Sequence, residues 1–392
     1  MKTIFFGFLK IFKTLRLFWL SLSGKSESDV LDERVTSLKA WEDYCDGLKS
    51  AGAALLYPGA PTDPQQMAEG IRYLSRLTRA GLEAFVEYGD PRFPQFRRTV
   101  HETIKMGADN PDNYYLNAQI SGEYDYIISG RRNSIDYFGL FTQNGSYGTT
   151  GGLSPCGKLE DGELVLGEDG SFEVVLSKER RGKNWLKIEA DSSLLMVRQT
   201  YRNREEEAPV ELSIEAIGVE GVPGSISPEQ INDGLSSAAL LVAGAPMLFS
   251  KWAKGFQKHT NELPLFDPEV SNSAGGDASI IYYHSHWKLA DDEALVIEAS
   301  PPECDNWNFQ LNNYWMESLD YRYHNICIND FSAKKESDAS IKVIVAHEDP
   351  GHANWIQTAG HNEGTMCWRW YRPVGDYPDH VPTRKVKFAE LS

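Results

Sequence analysis

Ile341-Lys342-Val343-Ile344-Val345, then Asn354-Trp355-Ile356, then Trp368-Arg369-Trp370-Tyr371-Arg372 repeat an arrangement met earlier in the chain. The earlier copy reads Phe172-Glu173-Val174-Val175-Leu176, Asn184-Trp185-Leu186 and Val197-Arg198-Gln199-Thr200-Tyr201-Arg202. From the strand start to Asn-Trp is 12 residues in the first copy and 13 in the second, and from Asn-Trp to the following Arg is 14 and 15. Each copy also holds an Asp-Asn-aromatic triplet (Asp112-Asn113-Tyr114, Asp305-Asn306-Trp307) and an Asp-Tyr pair (Asp125-Tyr126, Asp320-Tyr321). Five matched elements in one order indicate an internal duplication.

Around these elements, short runs rich in Tyr, Val, Ile and Phe alternate with Gly, Asn, Asp and Ser turns, which is the texture of antiparallel β-structure. The expected fold is mainly β: two tandem jelly-roll-like antiparallel β-sandwiches of two four-stranded sheets each, over 109–225 and 263–392. Between them Ser227-Pro228-Glu229-Gln230 caps a helical connector over 226–262. A helical region over 25–108 precedes the first sandwich. From Val30, the positions Leu31, Val35, Leu38, Trp41, Cys45 and Leu48 recur at three and four and predict one buried helix face. Asp63, Pro64 and Gln66 read as the cap of a second helix, with Met67, Ile71, Leu74 and Leu77 on one face.

Composition bounds the function. The chain has 392 residues, 41% of them hydrophobic, with 18 Tyr, 17 Phe and 10 Trp, enough for a substantial core and too much for a disordered or fibrous chain. A net charge of −17 argues against a nucleic-acid binder acting through bulk charge. Five cysteines without C-x-x-C spacing exclude a disulfide scaffold or a cysteine-only zinc site and favour a reducing compartment. Glycine-rich nucleotide loops, a Gly-x-Ser-x-Gly elbow and a His-Glu-x-x-His motif are all missing, so nucleotide-driven and ordinary serine-hydrolase chemistry lack support.

Residues 1–25 carry five bases and no acid, which leaves −22 on the remainder. Lys10, Lys13 and Arg16 fall in one helical arc, with Phe, Leu and Trp over the rest. Three readings compete for 1–24: a helix lying on an anionic membrane surface, a cleaved signal peptide ending near Ser21–Gly24, and a helix packed on its own protein. The first fits the stripe best and places the protein on the cytoplasmic face of a membrane. The second would export it.

Asp292-Glu293-Ala294-Leu295-Val296-Ile297, Pro301-Pro302, Trp307-Asn308-Phe309-Gln310-Leu311, Asp320-Tyr321, Ala346-His347-Glu348-Asp349-Pro350-Gly351, Asn354-Trp355 and Trp368-Arg369 together resemble the family known as domain of unknown function twelve-fourteen. The resemblance covers about residues 285–375, and 109–203 resembles the segment that often precedes it. It implies a double β-sandwich, comparable at fold level to viral capsid proteins and to carbohydrate-active enzymes that assemble as trimers. It implies no particular activity.

Glycoside hydrolysis needs two carboxylates at a set separation, and Asp125, Glu123, Glu317 and Asp320 sit beside Tyr124, Tyr126, Trp315 and Tyr321, which could stack on a sugar. Repetition of Asp-Tyr equally suits a structural turn. His347, Glu348 and Asp349, with His352 and His361, form a loop cluster suited to acid/base work, although Asp349-Pro350-Gly351 also reads as a turn. Arg131 could grip an anion. Asn184-Trp185 and Asn354-Trp355, with Arg198 and Arg369, read as a structural signature: Trp in the core, Asn tying a loop, Arg on an acid or an indole. Trp355 and Arg369 also enter the substrate-binding set. His284-Ser285-His286 shares one strand face, but Glu293 lies too far on for a cupin-like metal set, so neither metal nor cofactor is expected.

The expectation is therefore a glycan- or glycoconjugate-acting hydrolase or transferase, a glycoside hydrolase or transglycosylase, membrane-attached and homo-oligomeric, with a trimer among the states. The alternatives are a non-catalytic binding or assembly protein, and an enzyme on a lipophilic substrate drawn from the membrane. No nucleic-acid partner is expected.

Overall fold

A computed structural model describes residues 25–146, 152–273 and 275–391. The basic segment over 1–24 lies outside them.

Three helices open the described chain: α1 Glu27–Thr36, α2 Lys39–Ala51 and α3 Pro64–Leu82, the last running on as a π-helical turn over Glu83–Glu87. The continuous helix expected from Val30 is broken at Leu38, whose φ is +61°. A left-handed residue ends the helical phase, so Leu38 and Trp41 turn outward, 64% and 54% exposed, while Ala40 and Tyr44 pack inward. The start of α3 follows its capping chemistry, with Asp63 Oδ1 accepting from the Gln66 N–H at 3.0 Å. Its buried face is Gly70, Tyr73, Leu77 and Ala80, which leaves Ile71 exposed.

The first sandwich comprises β1 Asn113–Gln119, β2 Tyr126–Arg131, β3 Tyr137–Ser146, β4 Gly152–Glu160, β5 Ser171–Ser177, β6 Trp185–Lys187, β7 Ser192–Thr200 and β8 Glu211–Ala216. The long helix α4, Pro228–Phe256, follows, capped by Ser227 and Gln230 as the sequence indicated. By length and composition its stretch could cross a membrane, yet half of it is buried inside the protein. The second sandwich follows β9 Leu263–Pro264 and the short α5 Pro268–Ser273. Its strands are β10 Ile280–Lys288, β11 Glu293–Ala299, β12 Asn306–Asn312, β13 Cys327–Asn329, β14 Ile341–Ala346, β15 Trp355–Gln357, β16 Glu363–Tyr371, β17 His380–Val381 and β18 Thr383–Lys387.

The duplication is complete in the sheets. Order β1-β7-β3-β4 recurs as β10-β16-β12-β13, and β6-β5-β2-β8 as β15-β14-β11-β18. Each pair of sheets closes on one apolar core, around Phe138, Val174 and Val197 in the first copy and Phe309, Val343 and Trp368 in the second. The pairing is not wholly antiparallel: β5 with β6, and β14 with β15, run parallel.

Three of the five sequence matches fall on equivalent strands. The other two do not. Asn113 opens β1 whereas Asn306 opens β12, the partner of β3, so the counterpart of Asp305-Asn306-Trp307 is Asp136-Tyr137-Phe138. Likewise Tyr126 opens β2, while Asp320-Tyr321 lies in the loop between β12 and β13. Asp with an amide or aromatic neighbour is turn chemistry that suits any strand end, so these dipeptides carry no register.

Asn184 and Asn354 tie off equivalent loops with the same bonds. Asn354 Nδ2 donates to the carbonyls of Lys334 (2.7 Å) and Lys342 (2.8 Å), and its Oδ1 accepts from the Lys334 N–H (2.7 Å). Asn184 does this with Val165 and Glu173. The tryptophans do not fill the cores. Trp185 and Trp355 are half-buried at sheet edges, their Nε1 atoms donating to Ser177 Oγ and the Ala346 carbonyl. Neither arginine stacks on an indole.

Candidate functional site in the seam between the sandwiches

Alternation along a strand sends successive side chains to opposite faces. In β1 the residues Tyr114, Leu116 and Ala118 pack in the sandwich core, so Asn113, Tyr115, Asn117 and Gln119 point away from it. In β12 the core takes Trp307, Phe309 and Leu311, and the opposite face is a row of amides, Asn306, Asn308, Gln310 and Asn312. All four amides are buried. The polar faces of the two sandwiches are turned inward to a common seam, roofed by α4 and strapped by residues 97–110.

Buried amides are costly without partners, and here Asn308, Gln310 and Asn312 are bonded, while Asn306 Oδ1 has no partner among the described residues. Asn308 Nδ2 donates to Asn110 Oδ1 at 2.6 Å and Asn110 Nδ2 to the Tyr371 hydroxyl at 2.6 Å. Gln310 Nε2 donates to the Asp109 carbonyl at 2.8 Å, and Asn113 Oδ1 accepts from Thr200 Oγ1 at 2.9 Å. Asp112, half-buried beside Asn308, has its carboxyl pKa pushed up to about 6, chiefly by desolvation.

A cavity of about 1440 Å³ opens in this seam. Ligand pockets commonly hold about 300–1,000 Å³, so this one is large. Its walls include Tyr115 and Arg198 from the first sandwich, Tyr282, His284, Arg369 and Tyr371 from the second, and Leu241, Phe249 and Trp252 from α4. The π-helical turn after α3, Gly89–Arg92 and Pro223–Ser227 line it as well.

The duplication places a cross-strand Tyr–Arg pair on each wall: Tyr115 opposite Arg198, and Tyr282 opposite Arg369. The pairs differ in charge. Arg198 Nη1 lies 3.4 Å from Asp277 Oδ2. Arg369 donates only to neutral acceptors, Asn308 Oδ1 (3.2 Å), Gln310 Oε1 (2.6 Å) and the Ala108 carbonyl (2.5 Å). Asp109 and Asp112 are close enough to feel its charge, but neither forms an ion pair with it.

Arg97 is a second such guanidinium. It is 7% exposed, backbone-paired to Asn117 of β1, and its Nη1 donates to Thr99 Oγ1 at 2.7 Å. Turning the Gln119 amide supplies one more acceptor at 3.3 Å. Its Nε is buried without a partner, and desolvation brings its pKa down to about 10. Among the described residues, Arg97 and Arg369 make no ion pair. An unmatched buried charge is expensive, and a guanidinium can bind a carboxylate bidentately.

His284 stacks between Phe256 and Tyr282, with ring centroids at 5.3 and 5.7 Å. Desolvation takes it down to about 3, so it is neutral near pH 7. Among the described residues no group of three His, Cys, Asp or Glu is arranged to hold a metal ion.

The acids read from the sequence do not meet. Asp125 is ion-paired with Arg181 at 2.7 Å on the first sandwich. Glu317 is buried against Arg76 at 2.5 Å, and desolvation outweighs that partner to raise its pKa. Asp320 is held down to about 2, chiefly by its hydrogen bonds from Arg322. Glu348 is exposed, and Asp349 closes a turn on the Gly351 N–H. His347 bonds Thr358, and His352 accepts from the Asn354 N–H. Among the proposed stacking residues, Tyr126 and Trp315 are buried, the latter in the helical layer with its Nε1 on the Gln66 carbonyl. Tyr321 lies under Lys105, and Arg131 pairs with Asp169 at the surface. Of the substrate set only Arg369 lines the cavity, with Glu123 and Tyr124 at its rim. Arg97, Tyr115, Tyr282 and Trp252 were missed. The repeated arginine was the one available signal, and strand order was needed to find the tyrosine opposite it.

Residues 152–205 and 290–375 match the family described as Protein of unknown function (DUF1214). A crystal structure of an uncharacterised protein from Burkholderia cenocepacia is 46% identical, with a TM-score of 0.89, covering 91% of this chain and 99% of that one. The chain belongs to this family. The two segments matched to DUF1214 each hold one Asn-Trp element and one wall arginine, Arg198 or Arg369. The VPA0106 protein from Vibrio parahaemolyticus is 12% identical, with a TM-score of 0.46, covering 87% of this chain and 100% of that one. No curated protein matches the chain.

Proposed function

We propose that this DUF1214 protein binds a small organic anion with an apolar body in the seam cavity. One observation carries the reading: two buried guanidiniums, Arg97 and Arg369, line a cavity partly walled by Leu241, Phe249 and Trp252, and although Glu87, Asp90, Asp109, Glu123, Glu229 and Asp233 line it too, neither guanidinium forms an ion pair among the described residues. A buried charge left unmatched favours an anionic guest over a neutral one. A lipophilic ligand fits this lining better than a glycan does, because the acids expected to act on a glycan share no cleft. Supply of such a ligand from an anionic bilayer would suit the basic segment over 1–24.

The test is calorimetric titration of the full chain with dodecanoate and with dodecanol. Saturable one-site binding of the acid, weakened about tenfold or more by Arg97→Gln, is expected. Equal binding of the alcohol, or no saturable binding of the acid, would sink the reading. Co-sedimentation with anionic vesicles, with and without residues 1–24, tests membrane supply.

A further inference from the structure

We infer that the natural ligand is elongated and carries an acidic group at each end, so that it spans the seam from Arg97 to Arg369. This rests on the anion-binding reading above and adds the ligand's shape and charge.

The two guanidiniums belong to opposite walls. Arg97 is bridged to Asn117 of the first sandwich, near Glu83 and Tyr88. Arg369 rises from β16 of the second sandwich, among Tyr115, Tyr282 and Tyr371. A single carboxylate satisfies one such cation, which leaves the other with the same unmet charge. Arg198 needs no ligand, because Asp277 already neutralises it.

The cavity is also drawn out. It touches α4 at Gln230, Ser237, Leu241 and Trp252, positions seven, four and eleven residues apart and so on one side of the helix. At 1.5 Å per residue, Gln230 to Trp252 is about 33 Å of helix, which measures the cavity's reach along α4 and not the distance from Arg97 to Arg369. Leu241 and Met196 also line it, and near the Gln230 end of the helix Glu229 and Asp233 do as well. An extended chain with an apolar middle and charged ends is complementary to that arrangement.

Dodecanedioate, dodecanoate and dodecanediol serve as probes by calorimetry on the full chain. The expected result is dodecanedioate binding about tenfold or more tighter than dodecanoate, with dodecanediol weakest. Arg97→Gln and Arg369→Gln should each reduce the dioate to the level of the monoacid. If Arg369→Gln fails to fold, as its melting temperature would reveal, the Arg97→Gln comparison decides alone. Equal affinity for dioate and monoacid would overturn the inference and leave the anion reading standing. Failure of every carboxylate to bind would remove both.

Discussion

Arg198 and Arg369 occupy the same position in the two sandwiches, each opposite a tyrosine of the first strand, and only Arg198 has an acid, Asp277, at 3.4 Å. The duplicated scaffold has thus been kept while its charge balance diverged. In one copy the arginine is held by the fold. In the other it is held by two amides and a backbone carbonyl, with no acid paired to it.

Asp277→Asn should therefore be costly, because it strands Arg198 as a buried charge. A loss of about 3–5 kcal/mol is expected in urea unfolding. Combining it with Arg198→Met should recover most of that loss, since an apolar pair needs no counter-charge. A single variant within about 1 kcal/mol of the parent would show that the pair does not hold this wall.

Asn184→Ala and Asn354→Ala remove the same set of bonds from the two copies. Each leaves backbone groups unsatisfied, so each should cost about 2–3 kcal/mol. The sites lie in different sandwiches, and the double variant should be additive to about 0.5 kcal/mol if both unfold in one transition. Strongly unequal losses would mean that only one loop is structural.

Glu317 and Asp320 are three residues apart and should respond oppositely to mutation. Glu317→Ala strands Arg76 and loses the bond from Asn313 Nδ2 at 2.9 Å, for an expected cost of about 3–5 kcal/mol. Asp320 pairs with Arg322 at the surface, so Asp320→Ala should cost under about 1 kcal/mol. Neither change should weaken dodecanoate binding, because neither residue lines the cavity. A binding loss in Asp320→Ala at unchanged stability would restore the carboxylate reading.

His361 and Glu69 fasten the second sandwich to α3, with Nε2 and Oε2 2.9 Å apart. Burial opposes the charge on His361, but Glu69 outweighs it and holds the pKa above the ordinary imidazole value. The stabilisation is full below about pH 6.5 and is lost as pH rises through the raised value. On the Glu69 side, burial is outweighed by His361, Arg72 and Asn313, so that pKa is lowered and its contribution disappears only as pH falls through the lowered value. The melting temperature should fall between about pH 6 and pH 9, and His361→Gln should remove most of that slope. An unchanged slope in the variant would assign it elsewhere.

Reading the sequence alone recovered what is local. Ser227 and Asp63 announce their helices because a cap bonds a backbone N–H three residues on. Asn184 and Asn354 announce the duplication because their loops close within about twenty residues of chain, so the motif and its partners travel together. Strand alternation then defines which side chains fill each core. What alternation cannot say is what covers the other face. Polarity alone would suit the amides of β12 to a solvent face, and only the tertiary structure buries them, with Asn308 meeting Asn110 198 residues away. The same holds for charge: the repeated arginine is visible in sequence, but whether Asp277 reaches it is decided by how two sandwiches and a helix close on one seam. Local hydrogen bonding and periodicity are written in short spacings. The cavity is a product of long-range packing, and its chemistry exists only where those distant faces meet.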